Sequence, residues 1–367
     1  MKAFAKTDKI LLFTTLCLVV FGIFIFGSAA LGVLSTDEAK FYSILENQLI
    51  YALIVGIGAL FLGTVVTFKL YEKFAYYFFG FGIFITSLVF VPAIQMYHGG
   101  AHRWIHIGPL SLQPSEFLKF VFIIMIARWC SMNASNFKTI KYGLLPYLFF
   151  TGLVTLVMLL QPDFGTLFVM IIGSFIVYFV GGAQFKHIGI LIATGVLGFV
   201  ILVSLRPYMM ERVVTFFDAT HDTKGSSWQL NQSLIAIGSG GFLGRGYGQS
   251  VQKYNYLPEP IGDSIFAVLG EELGTIGIIF LFILYGIVIV RGLRIALGSE
   301  SQFGRLLVVG IITIFSAQIV LNIGSMLGLL PLTGVPLPFI SHGGTALMAT
   351  LFQIGVILNI SRQSHYA

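Results

Sequence analysis

The sequence predicts an all-α polytopic membrane protein of about ten transmembrane helices, with one large extracytoplasmic loop between helices 7 and 8. Of its 367 residues, 57% are hydrophobic and only 10% are Asp, Glu, Lys or Arg, whereas soluble domains carry roughly a quarter charged residues. Apolar runs of about 20 residues recur along the chain, the length that crosses a hydrocarbon layer roughly 30 Å thick. A soluble fold could not bury this much apolar surface.

Ten apolar runs separated by polar breaks predict the individual spans. The first run follows several lysines, but it is longer than the roughly 7–15 apolar residues of a secretory signal, so it predicts a retained helix. In chain order the predicted spans are Ile10–Leu31, Leu49–Phe68, Phe74–Ile94, Ser115–Trp129, Tyr142–Leu160, Phe164–Val180, Ile188–Leu205, Ser264–Val290, Leu306–Leu330 and Gly343–Ile360.

Lysine and arginine are distributed unevenly between the two sides of these spans. The short connections opposite the N-terminus hold only Lys40 and Arg103. By the positive-inside rule this asymmetry predicts that both termini are cytoplasmic. The net charge of +6 is scattered among turns, which excludes a nucleic-acid-binding patch. The basic residues on the N-terminal side are Lys2, Lys6, Lys9, Lys69, Lys73, Arg128, Lys138, Lys141, Lys186, Arg291, Arg294, Arg305 and Arg362.

The chain predicts a single domain, residues 1–367, because it contains no soluble segment, flexible linker or clear internal repeat. Cys17 and Cys130 fall in or at the ends of helices, so no structural disulfide is expected. Zinc-ligand spacing and a Gly-x-Ser-x-Gly elbow are both absent from the sequence. A glycine series surrounds Arg245, but no predicted strand precedes it, so a dinucleotide fold is excluded. No organic cofactor is expected.

The connection between the seventh and eighth spans, about residues 206–262, is far longer than the usual few residues. Long connections of this kind are usually functional. Its middle, Gln229 to Phe242, is apolar but contains Asn231, Gln232 and several glycines. We expect this stretch to dip into the membrane or pack on the helices without spanning.

Asp263 ends this connection, directly before the eighth span. Pro258 and Pro260 exclude helix upstream, so Asp263 is predicted to be the N-cap residue. On position alone capping is favoured over catalysis, because Asp is a preferred cap. Alternatively, the helix dipole keeps the carboxylate ionised to accept a proton or hold a cation. Glu259 either cooperates with it or is simply solvated.

Glu271 and Glu272 lie about 12 Å further into the same predicted helix. Carboxylates inside a membrane helix are costly and need a donor such as an Arg, a Lys or a broken helix end. We interpret this pair as structural in preference to catalytic.

Other charged residues flank the outer ends of spans. Arg103 beside Trp104 either binds phosphate or anchors at the interface, with equal support. Glu116 and Lys119 are spaced to share one helix face, as a buried pair or with Lys119 reaching a phosphate. Asp163 is interpreted as a structural cap or partner, with completion of a charged pocket as the alternative.

The connection before the last span contains Pro331, Pro336 and Pro338, followed by Ser341 and His342. The hydroxyl and the imidazole lie at the predicted outer face, where loop packing explains most of the pattern.

Five motifs follow one another along nearly the whole chain: Gly-Gly-Ala-His-Arg-Trp-Ile at 99–105, Gln-Pro-Ser-Glu-Phe-Leu-Lys at 113–119, Gln-Pro-Asp-Phe-Gly-Thr at 161–166, Tyr-Leu-Pro-Glu-Pro at 256–260 and Leu-Pro-Phe-Ile-Ser-His-Gly-Gly at 337–344. Together and in this order they resemble the SEDS family. The resemblance implies a ten-helix protein of the bacterial cytoplasmic membrane that polymerises lipid II into glycan strands.

The loops at 232–238 and 252–260 look more like the division branch (FtsW-like) than the elongation branch (RodA-like). The family's essential acid matches Asp263, which promotes this residue from cap to catalyst. There are departures. The family commonly has His-Thr-Asp-Phe where this chain has Ile-Gly-Asp-Ser at 261–264, and His342 and His102 replace a usual Tyr and a usual basic residue.

The resemblance implies an inverting glycosyl transfer with Asp263 as general base and undecaprenyl pyrophosphate as leaving group. Implied partners are lipid II, a class B penicillin-binding protein (a transpeptidase), divisome proteins and membrane lipids. A divalent cation, Mg²⁺ or Mn²⁺, is an expected cofactor. Substrate contacts are predicted for Arg103, Lys119, Glu259, Arg245, Ser341 and His342, and structural or pocket charges for Glu116, Asp163, Glu271 and Glu272.

Three other functions fit part of the pattern. A lipid II flippase would use the charged groups in helices four and eight to line a path for the headgroup. A noncatalytic scaffold for the transpeptidase would need neither Asp263 nor the outer cations. An elongation-type polymerase would share the chemistry but not the cellular role.

Overall fold

The computed structural model describes residues 7–35, 37–92, 95–98, 101–107, 110–133, 137, 139–217 and 225–364. Among the predicted features, Lys2, Lys6, Ile94, Gly99, Gly100 and Lys138 lie outside these residues. The helices α1 to α14 are, in order, Lys9–Leu34, Glu38–Glu46, Val55–Val65, Phe68–Lys73, Ala75–Ser87, Pro114–Asn133, Leu145–Leu160, Phe164–Val180, Phe185–Leu205, Pro207–Phe217, Ser226–Gly240, Ile265–Gly298, Gln302–Met326 and Gly344–Ser361. The π-helical stretches Asn47–Ile54 and Ile140–Leu144 lead into α3 and α7, and a 3₁₀ turn, Leu88–Phe90, follows α5.

Each of the ten predicted spans coincides with a helix, which confirms the multi-pass fold. Among the described residues, seven segments are long and apolar enough to cross a membrane: Lys9–Leu34, Glu38–Val65, Ile140–Leu160, Phe185–Leu205, Ile265–Gly298, Gln302–Met326 and Gly344–Ser361. Two shorter apolar helices, Ala75–Phe90 and Phe164–Val180, match two more predicted spans, and α6 matches the tenth. Boundaries differ by a few residues, most at α12, which continues past the predicted end at Val290 to Gly298.

Several helices begin where the sequence places a capping acid. Asp8 accepts a hydrogen bond from Leu11 N at 2.8 Å at the start of α1. Asp163 accepts one from Thr166 N at 3.3 Å at the start of α8. Each carboxylate satisfies a backbone donor that has no partner within the helix. The predicted capping role of Asp163 is therefore confirmed.

A small antiparallel sheet joins α5 to α6, and the sequence did not predict it. Its strands are β1 (Gln95–His98), β2 (Ala101–Ile107) and β3 (Leu110–Leu112), in the order β1-β2-β3. Ile105 on β2 is buried and is paired with both edge strands. The sheet holds Arg103 at this end of the molecule.

The interior is built around α6 and α13, which bury most of their length. At the edge of the bundle, α9 buries only His187 and Val203. Close helix contact depends on small residues. A Cβ atom on Gly355 of α14 would lie 2.3 Å from the carbonyl oxygen of Leu60 on α3. No larger residue fits between these two helices.

The long predicted connection contains two helices. The first, α10, is short, and the second, α11, packs on α12. Packing on the helices is one of the two alternatives predicted for residues 229–242. The next stretch, residues 241–253, is called the insert loop here. It fills a break in α12 at Gly274, whose backbone is left-handed (φ 60°, ψ −159°). A Cβ atom on Gly274 would lie 2.4 Å from the backbone nitrogen of Gly244, so this crossing requires glycine.

Candidate active site at Asp263

Asp263 lies in a tight turn that precedes α12. The amides of Gly262 and Ser264 both donate to the carbonyl oxygen of Glu259, at 3.0 and 3.2 Å. The helix consequently starts one residue later than predicted, at Ile265, with Ser264 at its N-cap and no capping side chain. The prediction that Asp263 caps this helix is wrong. Its carboxylate is left available for other contacts.

The backbone of this turn is fixed from two directions. Asn322 of α13 donates through Nδ2 to the carbonyl oxygens of Asp263, at 2.9 Å, and Val335, at 2.8 Å. The loop before α14 supplies two more hydrogen bonds. Ser341 Oγ donates to Gly262 O at 2.8 Å, and the backbone amide of His342 donates to Ile261 O at 2.7 Å. The backbone of the turn is therefore held by α13 and by the loop before α14.

The Asp263 side chain is half-buried and has no hydrogen bond or ion pair with another residue that the structure describes. It lies close to Arg212 of α10. A Cβ atom added to Gly334 would be 3.3 Å from Asp263 Oδ2 and 3.9 Å from Arg212 Nη2. The carboxylate and the guanidinium therefore approach the same point, the α-carbon side of Gly334.

Arg212 is held by its own neighbours. It donates to the carbonyl oxygen of Leu332 and to the hydroxyl of Tyr208. Its guanidinium carbon lies 4.5 Å from the centre of the Tyr208 ring, a cation–π geometry. These contacts leave a fixed positive charge beside Asp263.

Burial and charge act together on Asp263. Burial, reinforced by the negative charges of Glu259 and Asp163, raises the pKa of Asp263 to about 6, against the opposing effect of Arg212 and Arg103. Arg103 donates to the carbonyl oxygen of Pro162, and its buried Nε has no partner among the described residues. A carboxylate with this pKa is a better proton acceptor than an ordinary aspartate and is still mostly ionised at pH 7.

Lys119 and Arg245 lie in other surroundings. Lys119 forms a buried ion pair with Glu116 at 2.7 Å, the structural alternative for this spacing. Arg245 is 41% exposed and pairs with Glu271 at 3.4 Å. The structure brings Arg103, Glu259 and Asp163 toward Asp263, and it places Lys119 and Arg245 in ion pairs of their own.

Ser341 and His342 contact the site through the backbone of 261–262. The Ser341 hydroxyl is already used as donor to Gly262 O and as acceptor from Leu337 N at 2.8 Å. The His342 ring stacks on Phe26 with a centroid distance of 5.7 Å. Burial lowers its pKa to about 4, so it is neutral at pH 7. Both residues hold the turn, and their predicted substrate contacts stay predictions.

Glu271 and Glu272 are fully buried and have the donors that the sequence analysis required. Glu271 accepts hydrogen bonds from Ser250 Oγ at 2.6 Å and from the amides of Val251 and Gln252 at 3.0 and 3.2 Å. Glu272 forms an ion pair with Lys253 at 2.8 Å. An arginine, a lysine and backbone donors beside a broken helix are all present, which favours the structural interpretation.

Arg212 was missed by the sequence analysis, which left residues 206–262 without secondary structure. The signal was present. Pro207 is a favoured first residue of a helix, and Tyr208 and Arg212 are spaced by four, which places them on one helix face.

Comparison with known proteins agrees with this architecture over the full length. The family model described as a cell cycle protein, FTSW_RODA_SPOVE, matches residues 8–366. The chain is 38% identical to stage V sporulation protein E of Bacillus subtilis, with 98% of each chain covered. It is 34% identical to the probable peptidoglycan glycosyltransferase FtsW of Trichlorobacter lovleyi, covering 97% of this chain and 93% of the relative.

Two solved structures have the same fold. One is a chain from a peptidoglycan synthase complex that coordinates polymerization and crosslinking, with 27% identity, a TM-score of 0.79 and coverage of 99% and 100% of the two chains. The other is the rod shape determining protein RodA of Thermus thermophilus, with 27% identity, a TM-score of 0.71 and 99% of each chain covered. Because the family model spans all but the chain ends and these relatives are at least 34% identical over nearly the whole chain, this protein belongs to the FtsW/RodA/SpoVE family.

Proposed function

We propose that this protein is a peptidoglycan glycosyltransferase that polymerises lipid II at the outer face of the bacterial cytoplasmic membrane, for septal wall synthesis in cell division. The observation that carries the proposal is the Asp263 carboxylate, which lies near Arg212 and has no hydrogen bond or ion pair with a described residue. The basic residues on the opposite side favour cytoplasmic termini and hence an outward-facing Asp263. The family relationship to FtsW supports both the reaction and the division role.

The reaction needs a base that is positioned before the acceptor arrives. The acceptor sugar hydroxyl attacks the anomeric carbon of the donor, its proton passes to the Asp263 carboxylate, and the bond from that carbon to pyrophosphate oxygen breaks. Undecaprenyl pyrophosphate leaves, and the configuration at the carbon inverts. A pKa of about 6 for Asp263 keeps the base charged at neutral pH and raises its proton affinity.

The leaving group gains negative charge as it departs, and fixed cations stabilise that charge most when they are held in advance. Arg212 is held by Leu332 O and Tyr208, and Arg103 is held by Pro162 O. We assign these two guanidiniums to the pyrophosphate. The Nε of Arg103 has no hydrogen-bond partner within the described part of the chain, so we assign it as a donor to a phosphate oxygen.

Among the described residues no group of three or more His, Cys, Asp or Glu side chains forms a preformed metal site. Mg²⁺ nevertheless binds commonly through one or two carboxylates with water and substrate phosphate oxygens completing its shell. Glu259 fits that pattern as the carboxylate that would hold the ion, and it is close enough to Asp263 for its charge to raise the pKa of Asp263. A bound Mg²⁺ or Mn²⁺ would supply neutralisation of pyrophosphate charge.

The partner proposed for this chain is a class B penicillin-binding protein, with other divisome proteins around the pair. Support comes from the related chain in a peptidoglycan synthase complex. The exposed apolar helices would contact membrane lipids and the tails of lipid II.

The test uses purified protein with its partner, labelled lipid II and Mg²⁺ or Mn²⁺. Wild type should produce glycan polymer on a gel, and Asp263→Asn should not. Equal polymer from both proteins would remove Asp263 from the mechanism. If neither protein polymerises while wild type moves labelled lipid II across vesicles, the flippase function is correct. Complementation of a division mutant and of an elongation mutant decides between the two cellular roles.

A further inference from the structure

The insert loop (241–253) is paired with α12 through backbone hydrogen bonds on both sides of the helix break. The amides of Arg245 and Gly246 donate to the carbonyl oxygens of Glu271 and Glu272, both at 3.0 Å, and Thr275 N donates to Gly241 O at 3.0 Å. A Cβ atom on Gly244 would lie 2.1 Å from Glu272 O. The loop therefore takes the place of the helical hydrogen bonds that Gly274 interrupts.

Lys253 ends this loop and is fully buried. Its ammonium donates to Glu272 Oε1 at 2.8 Å, to Gly248 O at 2.9 Å and to Ser28 Oγ at 3.0 Å. Ser28, on α1, donates in turn to the same Glu272 oxygen at 2.6 Å. One carboxylate oxygen thus joins α1, the insert loop and α12.

The second oxygen, Glu272 Oε2, is buried and has no partner among the described residues. Leaving a buried acceptor unsatisfied costs free energy, and burying an ion pair contributes little net stability compared with apolar packing. Maximum stability does not explain this arrangement. A fixed geometry does. The backbone amide of Ser250 also donates to Oε1, at 3.3 Å, and together with Ser28 and Lys253 it makes three donors to one oxygen, which leave Lys253 one position.

The chain between Lys253 and Asp263 has restricted backbone freedom. The intervening chain contains Pro258 and Pro260, which restrict the backbone. It is also tied to α11, since Trp228 Nε1 donates to Tyr256 O at 2.9 Å. A shift of the loop at Lys253 would consequently be passed to the turn that carries Asp263.

We propose that Lys253 is a positioning residue for catalysis. Paired with Glu272, it locks the insert loop into the break of α12 and so sets where Asp263 stands opposite Arg212. The inference rests on the proposed glycosyl transfer. In this proposal the buried pair does not contact the reacting atoms. It affects catalysis only through the insert loop.

The decisive variant replaces both members of the pair, Lys253→Met with Glu272→Met. Apolar residues of similar volume often maintain or increase stability in place of a buried ion pair. We expect a melting temperature in detergent close to wild type, a kcat at least about 10-fold lower, and little change in KM. Such a split is expected of misplaced catalytic groups. Wild-type kcat in the folded double variant would overturn the proposal.

A control removes a partly exposed ion pair, between Arg128 in α6 and Glu72 in α4, with Arg128→Met and Glu72→Met. It should keep wild-type kcat. If the Lys253/Glu272 double variant does not fold, Lys253→Arg is measured instead, which keeps the charge but changes its reach. Folded Lys253→Arg should lose kcat, and a wild-type rate with a wild-type pH midpoint would overturn the proposal.

Hydrogen exchange separates this inference from the proposed function. Amides of residues 254–263 should exchange faster in Lys253→Met than in wild type, whether or not lipid II is polymerised. If wild type makes no polymer but the exchange prediction holds, the glycosyl transfer fails and the lock stands. If wild type polymerises and exchange is unchanged in the variant, the lock fails alone.

Discussion

Two groups of acidic residues near the start of α12 have opposite surroundings. Asp263 is half-buried and has no direct ion pair with a described residue, and the charges around it are of both signs. Glu271 and Glu272 are fully buried and hold Arg245, Lys253 and backbone amides. The turn before α12 thus presents one carboxylate without a partner among the described residues, and the helix itself presents two that are committed to the fold. The difference between these carboxylates lies in their hydrogen-bond and ion-pair partners. Neither the residue type nor the position along the chain reveals those partners.

The largest contrast is expected from neutralising Asp263. Asp263→Asn should lower polymerisation at least about 100-fold, because general bases contribute that much or more. Its folded pKa, about 6, exceeds that of an unfolded aspartate near 3.9. The folded state therefore binds the proton more tightly, and the charged group costs stability as pH rises through 6. Asp263→Asn should raise the melting temperature at pH 7.5, measured by a thermal shift in detergent.

Glu272→Gln is the counterpart and should do the reverse. It leaves the buried Lys253 ammonium without its counter-ion, a loss of about 3–5 kcal/mol in comparable buried pairs. The melting temperature should fall. Loss of stability in Asp263→Asn, or a gain in Glu272→Gln, would erase the distinction between the two groups.

The next largest effect is expected from the arginines. Arg212→Gln should reduce polymerisation by about 10–100-fold, because it removes a fixed cation from developing negative charge. It should also move the pH midpoint of activity upward, since Arg212 lowers the pKa of Asp263. Arg245→Gln is the matched change, and it should stay within about 2-fold because its pair with Glu271 is partly exposed. Equal losses would place both arginines in one functional class.

A pH profile of the wild-type protein gives an effect of intermediate size. If Asp263 is the base, with its pKa at about 6, the rate should rise about 10-fold between pH 5 and pH 7 and then level off. Initial rates of lipid II consumption over this range provide the measurement. A flat profile would mean that another group takes the proton.

The smallest expected change probes the space between Asp263 and Arg212. Gly334→Ala puts a methyl group 3.3 Å from Asp263 Oδ2 at a residue whose φ is +69°, so kcat should fall about 5-fold through misplacement of the base. Gly182 also has a positive φ, +103°, but a Cβ atom there would have no atom within 4 Å, so Gly182→Ala is the control for backbone strain. It should keep the wild-type rate. Similar losses in both variants would point to backbone strain and away from the site.

The spans could be predicted because a hydrocarbon layer imposes a length and a composition that every sequence must meet. The three-stranded sheet and α10 could not, because short polar elements at a membrane surface have no such requirement. Asp263 is a candidate from its motif and position alone. Arg212 becomes a candidate only because the fold brings α10 to Gly334, a contact between residues far apart in the chain.

The prediction that Asp263 caps α12 is wrong for a local reason. A preferred residue type predicted an N-cap, but hydrogen bonds to Glu259 O moved the helix start to Ile265. The donors for Glu271 and Glu272 were correctly required by the cost of burial. Their identity, however, came only from the path of the insert loop, which no periodicity records.

The break at Gly274 also determines which part of α12 moves together with the insert loop. An unbroken α12 would behave as a single rod from Ile265 to Gly298. With its interruption filled by the insert loop, the portion from Ile265 to Leu273 is mechanically joined to that loop and to α1. A tilt of the remaining helix, from Thr275 onward, would be absorbed at Gly274. A partner protein that tilts α12 from Thr275 onward would therefore leave Asp263 in place. A partner that displaces the insert loop would move Asp263.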